Sequence, residues 1–155
     1  MGARRDALDA LLAKQEITEV LHQYCRAQDR DDIELGYDVW HEGGTADYEG
    51  MFEGTGREFL DFGHASHGTF FERTNHQVTN VLIDLDGDTA SSEAYVTAAN
   101  TIKGTDLVYV IRGRYLDEWA RREDRWRIVH RRFTTDMWQL VPLNHAAMPG
   151  PAADV

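Results

Sequence analysis

Three turn signals at close intervals constrain this chain more than any other feature. Asp86-Gly87-Asp88, Gly104-Thr105-Asp106 and Arg121 to Asp124 separate runs at 89–103, 107–120 and 125–140 that are rich in Val, Ile, Thr, Tyr, Phe and Trp. A further run precedes them, from Thr74 through Val78, Val81, Leu82 and Ile83 to the first turn. Extended runs joined by short Gly- and Asp-containing links read as hairpins. Four successive long strands therefore form an antiparallel meander. Small residues inside one strand, Ala94, Ala98 and Ala99, leave room on its surface rather than fill it.

The part before the meander is helical. Leu8, Leu11, Leu12, Ile17, Val20, Leu21, Tyr24 and Cys25 recur at spacings of three and four, one face of a helix from Asp6 to Gln28. Asp29-Arg30-Asp31-Asp32 ends it with residues that cap well and propagate poorly. A short second helix runs from Asp32 to Trp40 and stops at Gly43-Gly44; a strand holding Ala46 and Tyr48 follows, then a loop from Gly50 to Gly56. Phe59, Leu60 and Phe62 place a third helix over 57–67. The fold class is α+β: a curved antiparallel half-barrel closed by N-terminal helices, with a pocket at the mouth between helix and sheet. One domain spans residues 1–155, with its core at about 8–140, and the Pro-, Gly- and Ala-rich tail after Pro142 wraps the surface or meets a neighbour.

Composition excludes several function classes. The 155 residues carry a formal net charge of −11, which repels a polyanion, so no nucleic-acid partner is expected. The late arginines interleave with acids and read as a salt-bridged exposed strand surface. No segment is apolar enough for a signal or a membrane span, and the lone Cys25 excludes an internal disulfide, so a cytoplasmic location is the default.

Candidate chemistry centres on Thr74-Asn75-His76-Gln77-Val78-Thr79-Asn80, which puts an imidazole at the start of a strand, facing the inside of the sheet. Such a base needs a carboxylate to orient it, and Asp29 is the candidate. On a regular helix Tyr24 and Asp29 differ in direction by about 140°, so they share a pocket only if the chain turns near Gln28. Capping the next helix suits Asp31 and Asp32 better than Asp29. His64 and His67 fall on one helical face but lack a third ligand at suitable spacing, so no metal is expected. Trp40, Phe52, Phe59, Phe62, Phe70, Val78 and Trp138 are candidates for an apolar wall, each open to the alternative of plain core packing.

These residues carry a family likeness. From about Leu11 to Trp138 the chain resembles the NTF2-like superfamily, in particular its SnoaL-like enzymes. The matching pieces are Ile-Thr-Glu-Val-Leu-His-Gln-Tyr-Cys-Arg-Ala-Gln-Asp ending at Asp29, Ala-Asp-Tyr-Glu with Tyr48, Thr-Asn-His with His76, and Trp-Arg-Ile-Val-His-Arg-Arg in the last strand. The resemblance to scytalone dehydratase, lindane dehydrochlorinase and bile-acid 7α-dehydratase implies that Asp29 and His76 pair, the His removing a proton from carbon as a leaving group departs. It places Tyr24 and Tyr48 at positions where the steroid dehydratase keeps tyrosines, and Arg131 near an arginine the dehydrochlorinase uses beside its leaving group. Tyr24 stands where the dehydrochlorinase has a lysine, and only His130 or His64 is available to match the second histidine of scytalone dehydratase. The expectation is a cofactor-independent lyase acting on a small hydrophobic, polycyclic or aromatic molecule, as a homodimer or homotrimer. An isomerase or cyclase using the same base, a hydrophobic-ligand-binding module, and a structural dioxygenase β subunit remain open on the same fold.

Overall fold

The computed structural model describes residues 2–143. Three helices, α1 (Gly2–Arg30), α2 (Ile33–Asp38) and α3 (Gly56–Ser66), accompany six strands: β1 (Trp40–Tyr48), β2 (Phe52–Thr55), β3 (Phe71–Asp86), β4 (Thr89–Ile102), β5 (Leu107–Arg122) and β6 (Arg125–Pro142). The tail expected to wrap the surface lies outside the described residues from 144 onward. None of the described helices is long and apolar enough to cross a membrane.

The sheet runs β2-β1-β6-β5-β4-β3. The meander expected from the turn signals is present: β3, β4, β5 and β6 pair antiparallel in sequence order. Gly87 and Gly104 turn the first two hairpins at φ 60° and 72°, where glycine pays no Cβ penalty. The third is turned by Glu123 and Asp124, both left-handed at 52° and 56°, as a type I′ turn requires. The sheet is nevertheless mixed rather than purely antiparallel. β1 lies parallel to β6, and the 50–56 segment read as a loop contributes β2, which pairs with β1.

Only part of the predicted apolar stripe of α1 reaches the core. Ile17, Leu21, Tyr24 and Cys25 are buried, whereas Leu8, Leu11 and Leu12 are at least half exposed on the first turns of this 29-residue helix. The other end is sharply defined. Asp31 takes φ 54° and the Asp32 N–H bonds the Ala27 carbonyl at 3.0 Å, a Schellman-type closure that leaves Asp29 in the last helical turn. Asp32 then caps α2, accepting from the Leu35 N–H. Thr55 and Glu58 form a capping box on α3.

Bulges decide which side chains face inward. In β6, Ile128 pairs with Trp119 and His130 with Glu118, so Val129 is the extra residue. Trp126 and Ile128 are buried before the bulge, Arg131 and Phe133 after it. An inserted residue changes the phase of a two-residue alternation, and this turns Arg131 from the exposed surface expected of the arginine cluster into the core. Four other arginines of that cluster do form ion pairs: Arg114 with Asp136, Arg121 with Asp88, and Arg125 and the largely buried Arg127 with Asp38.

Gly56 sits against the Trp40 indole so closely that a Cβ there would lie 2.1 Å from the ring. Gly56→Ala is expected to destabilise by about 1–3 kcal/mol through overpacking, read as a lowered denaturation midpoint. Gly43→Asn, at φ 73° with no atom near the added carbon, is the control expected to change little.

Candidate active site

β3 is an edge strand, so alternate N–H groups along it point away from the sheet and need partners outside it. α1 packs along this strand, and its last turn supplies one. Asp29 accepts the backbone N–H of His76 on both oxygens, at 2.9 and 3.0 Å. The same carboxylate meets Nδ1 of the His76 ring at 2.7 Å, and the Thr74 hydroxyl stands 3.4 Å from it. An ionised carboxylate only accepts, so the proton in the ring contact belongs to Nδ1 and the Nε2 of a neutral imidazole keeps its lone pair. Both side chains are largely buried, 13% and 17% exposed.

His76 forms part of the wall of a cavity of about 170 Å³ between the inner face of the sheet, α1 and α3. Most of that wall is apolar: Met51, Phe59, Phe62, Phe71, Val96, Ala98, Ile111 and Phe133. Ala98 lies opposite His76 in the β3–β4 register, and its small side chain leaves the imidazole open to the cavity. Tyr24 and Tyr48 meet at the wall with their hydroxyls 2.7 Å apart, and Gln28, one helical turn after Tyr24, donates to the Tyr24 oxygen at 3.0 Å. Tyr24 and His76 thus share a cavity with no fraying of α1, because the ring on β3 spans the angle between Tyr24 and Asp29.

Burial pushes the Tyr24 phenol above its ordinary value, an effect opposed by the nearby Arg131 cation. Burial raises Tyr48 and Tyr115 further. All three keep their protons at neutral pH and can act as donors. Burial pushes the Cys25 thiol up to about 12, leaving it unreactive there.

Arg131 does not reach the cavity. It is fully buried, with Nε and Nη2 each 2.7 Å from an oxygen of Asp117, which is also buried. Its guanidinium lies against the Tyr115 and Tyr24 rings, 3.8 and 4.3 Å from their centroids. A direct contact with a leaving group is therefore corrected to a place behind the tyrosines.

Of the expected wall, Phe59 and Phe62 are in place. Trp40 is buried beneath Arg131 and Gly56, Phe52 packs on Phe59 and Phe62, and Val78 leans on the core, all three outside the wall. Trp138 is 61% exposed beside Tyr109, on the far end of β6, and Phe70 is exposed as well. His64 pairs with Asp31 at 2.7 Å and His130 with Thr45 at 2.8 Å, so neither serves as a second cavity histidine; His67 lines the cavity instead. No group of three or more His, Cys, Asp or Glu is placed to hold a metal among the described residues. Gln28, Asn100, Tyr109 and Tyr115 line the cavity without having been singled out from the sequence, and His67, considered there only beside His64 as a metal ligand, lines it too. The inward phase of β4, set by Ala94 and Ala98, was the available signal for Asn100.

Two outcomes follow from this electrostatic arrangement. Asp117→Ala strands a buried cation and is expected to destabilise by about 3–5 kcal/mol, while the double variant Asp117→Leu/Arg131→Met regains most of it in urea titrations. Phenols whose folded-state values are raised contribute fully below about pH 10, and their contribution is lost as pH rises through the raised values. The Cys25 contribution begins to fall from about pH 8.5. Stability should accordingly decline on the alkaline side, and decline less steeply above about pH 10 in Tyr48→Phe.

The fold has clear relatives. Similar solved structures include a hexachlorocyclohexane dehydrochlorinase (LinA type 2), at 18% identity and TM-score 0.81 over 94% of this chain and 99% of that one. A candidate scytalone dehydratase of Novosphingobium aromaticivorans matches at 22% identity and TM-score 0.77, over 94% and 97%. The Kfla4162 protein of Kribbella flavida matches at 25% and 0.75, over 84% and 95%. The first two likenesses establish a shared fold. A family model described as SnoaL-like domain matches residues 9–132, most of the chain. The protein belongs to the SnoaL-like domain family.

Proposed function

We propose that this protein is a cofactor-independent lyase that eliminates a leaving group, most simply water, from a small hydrophobic molecule. The observation that carries this reading is His76, held by Asp29, in the wall of a mostly apolar cavity that two protonated tyrosines also line. The dehydratase and dehydrochlorinase names among the fold relatives support the reaction class.

In this mechanism Nε2 of His76 takes a proton from carbon. The electron pair left behind becomes the new carbon–carbon double bond, and the bond from the neighbouring carbon to oxygen breaks. Asp29 holds the ring through Nδ1–H and stabilises the imidazolium that forms. The Tyr24–Tyr48 hydroxyl pair transfers a proton to the departing oxygen, which leaves as water, and the proton held by the His76 imidazolium returns to the tyrosinate through that water, restoring both groups. Arg131 acts as a positioning residue, packed against the Tyr24 and Tyr115 rings. Apolar walls keep bulk water from the base and select a hydrophobic substrate.

The test is a screen of hydrophobic hydroxy compounds for elimination, followed by variants. His76→Ala is expected to lower turnover by about 10²- to 10⁴-fold, the usual contribution of a positioned base. Asp29→Asn should approach the same loss with the fold intact by circular dichroism, and Tyr48→Phe should lose less. Near-normal turnover in His76→Ala would sink the proposal.

A further inference from the structure

Five polar or charged residues of the described chain are buried: His41, Ser92, Asn100, Asp117 and Arg131. Four have partners. His41 meets the Ala120 carbonyl, Ser92 accepts from the Trp119 indole, and Asp117 and Arg131 hold each other. Asn100 differs, because its side-chain amide makes no hydrogen bond among the described residues and it is 8% exposed. Its amide atoms are not sealed in the core: the fully enclosed unpartnered side-chain atoms of the described residues are Trp40 Nε1, Trp126 Nε1, Arg131 Nη1 and Thr134 Oγ1, whereas the Asn100 amide opens on the cavity.

The location explains it. Asn100 lies on the inner face of β4 and lines the cavity. In the strand register it stands opposite Thr74 on β3 and Tyr109 on β5, one inward step from Ala98, which faces His76. Successive inward positions on a strand are roughly 7 Å apart. The amide is thus within one small-molecule ring of the imidazole, on the side away from Tyr115 and Ala94. It offers both a donor and an acceptor to whatever enters.

We infer that Asn100 is a specificity-determining residue that hydrogen-bonds an oxygen substituent, hydroxyl or carbonyl, on an apolar ring held beside His76. The substrate class is therefore an oxygenated cyclic compound and not a halogenated hydrocarbon. A halogen or hydrogen at that position covers the amide without satisfying it, and a site whose polar group is buried unmet by the ligand discriminates strongly against such analogues. The inference rests on the reading of the cavity as an elimination site, but it concerns recognition, so equilibrium binding tests it separately from turnover.

The probes are 2-naphthol, 2-chloronaphthalene and naphthalene, three molecules of nearly one shape, with binding to the full chain followed by tryptophan fluorescence. Wild type should bind 2-naphthol about tenfold to a hundredfold more tightly than the other two. Asn100→Leu should remove that preference while still binding naphthalene, which also reports an intact cavity. If Asn100→Leu loses all three ligands, Asn100→Ser replaces it, with the same expectation of reduced preference. A wild type that binds the three alike, or a preference that survives in the variants, overturns the inference. Failure of the two readings is distinguishable. Elimination that needs His76 with no Asn100-dependent preference leaves the lyase standing and removes this inference, while an Asn100-dependent preference without elimination of any hydroxy compound does the reverse.

Discussion

The carboxylate of Asp29 is the point on which the geometry of the site turns. A negative charge in the last turn of a helix opposes the helix dipole, at a cost of about 0.3–1 kcal/mol. Here it is met by the His76 backbone N–H, by Nδ1 of the same residue and by the neighbouring Thr74 hydroxyl. One group therefore does two jobs. It satisfies an edge-strand donor that the sheet leaves open, and it fixes the tautomer and orientation of the ring that the cavity sees. Helix and edge strand are held in register by the contact that would make the histidine a base.

Behind the tyrosines lies a second constraint of a different kind. Taking Arg131 and Asp117 out of water costs more than their attraction alone returns unless geometry is good. The bidentate contact and the ring faces of Tyr24 and Tyr115 supply that geometry. The cation lies close to the phenols without entering the cavity, which moderates the upward push of burial on Tyr24. An arginine one residue out of phase would leave both the acid and the phenols worse off.

Much of this was legible in the sequence, and the failures share a physical cause. Turn residues revealed the meander because hairpin geometry is local, and the helix ends were readable because caps are local too. Asp29 and His76 could be named as partners, together with Tyr24 and Tyr48, from a family likeness; residue spacing alone left Asp29 open to a capping role. Periodicity shows that side chains alternate but not where a bulge resets the count. Val129 therefore hid the inward turn of Arg131, and the length of β6 hid that Trp138 runs past the cavity. Trp40, Phe52 and Val78 were hard for another reason: an aromatic or β-branched residue has the same sequence signature in a second layer of core as in a cavity wall. Pairings between distant segments, such as β1 with β6, leave no local trace. Asn100 was overlooked because a polar residue in an alternating strand reads as solvent-facing until its neighbours fix the phase.

The parallel pairing of β1 with β6 has a consequence for how the protein comes into being. Trp40 lies beside Ile128 and Tyr48 beside Phe133, so the strand carrying one of the two tyrosines waits for the last strand of the chain. At ribosomal speeds of about 5–20 residues per second, that interval lasts roughly 4–18 s. Until then α1 and β1 have no finished sheet to rest on, and their apolar faces need protection during synthesis. The cavity is among the last features to be completed, which leaves nascent chains without a ligand site however much of the helical half has emerged.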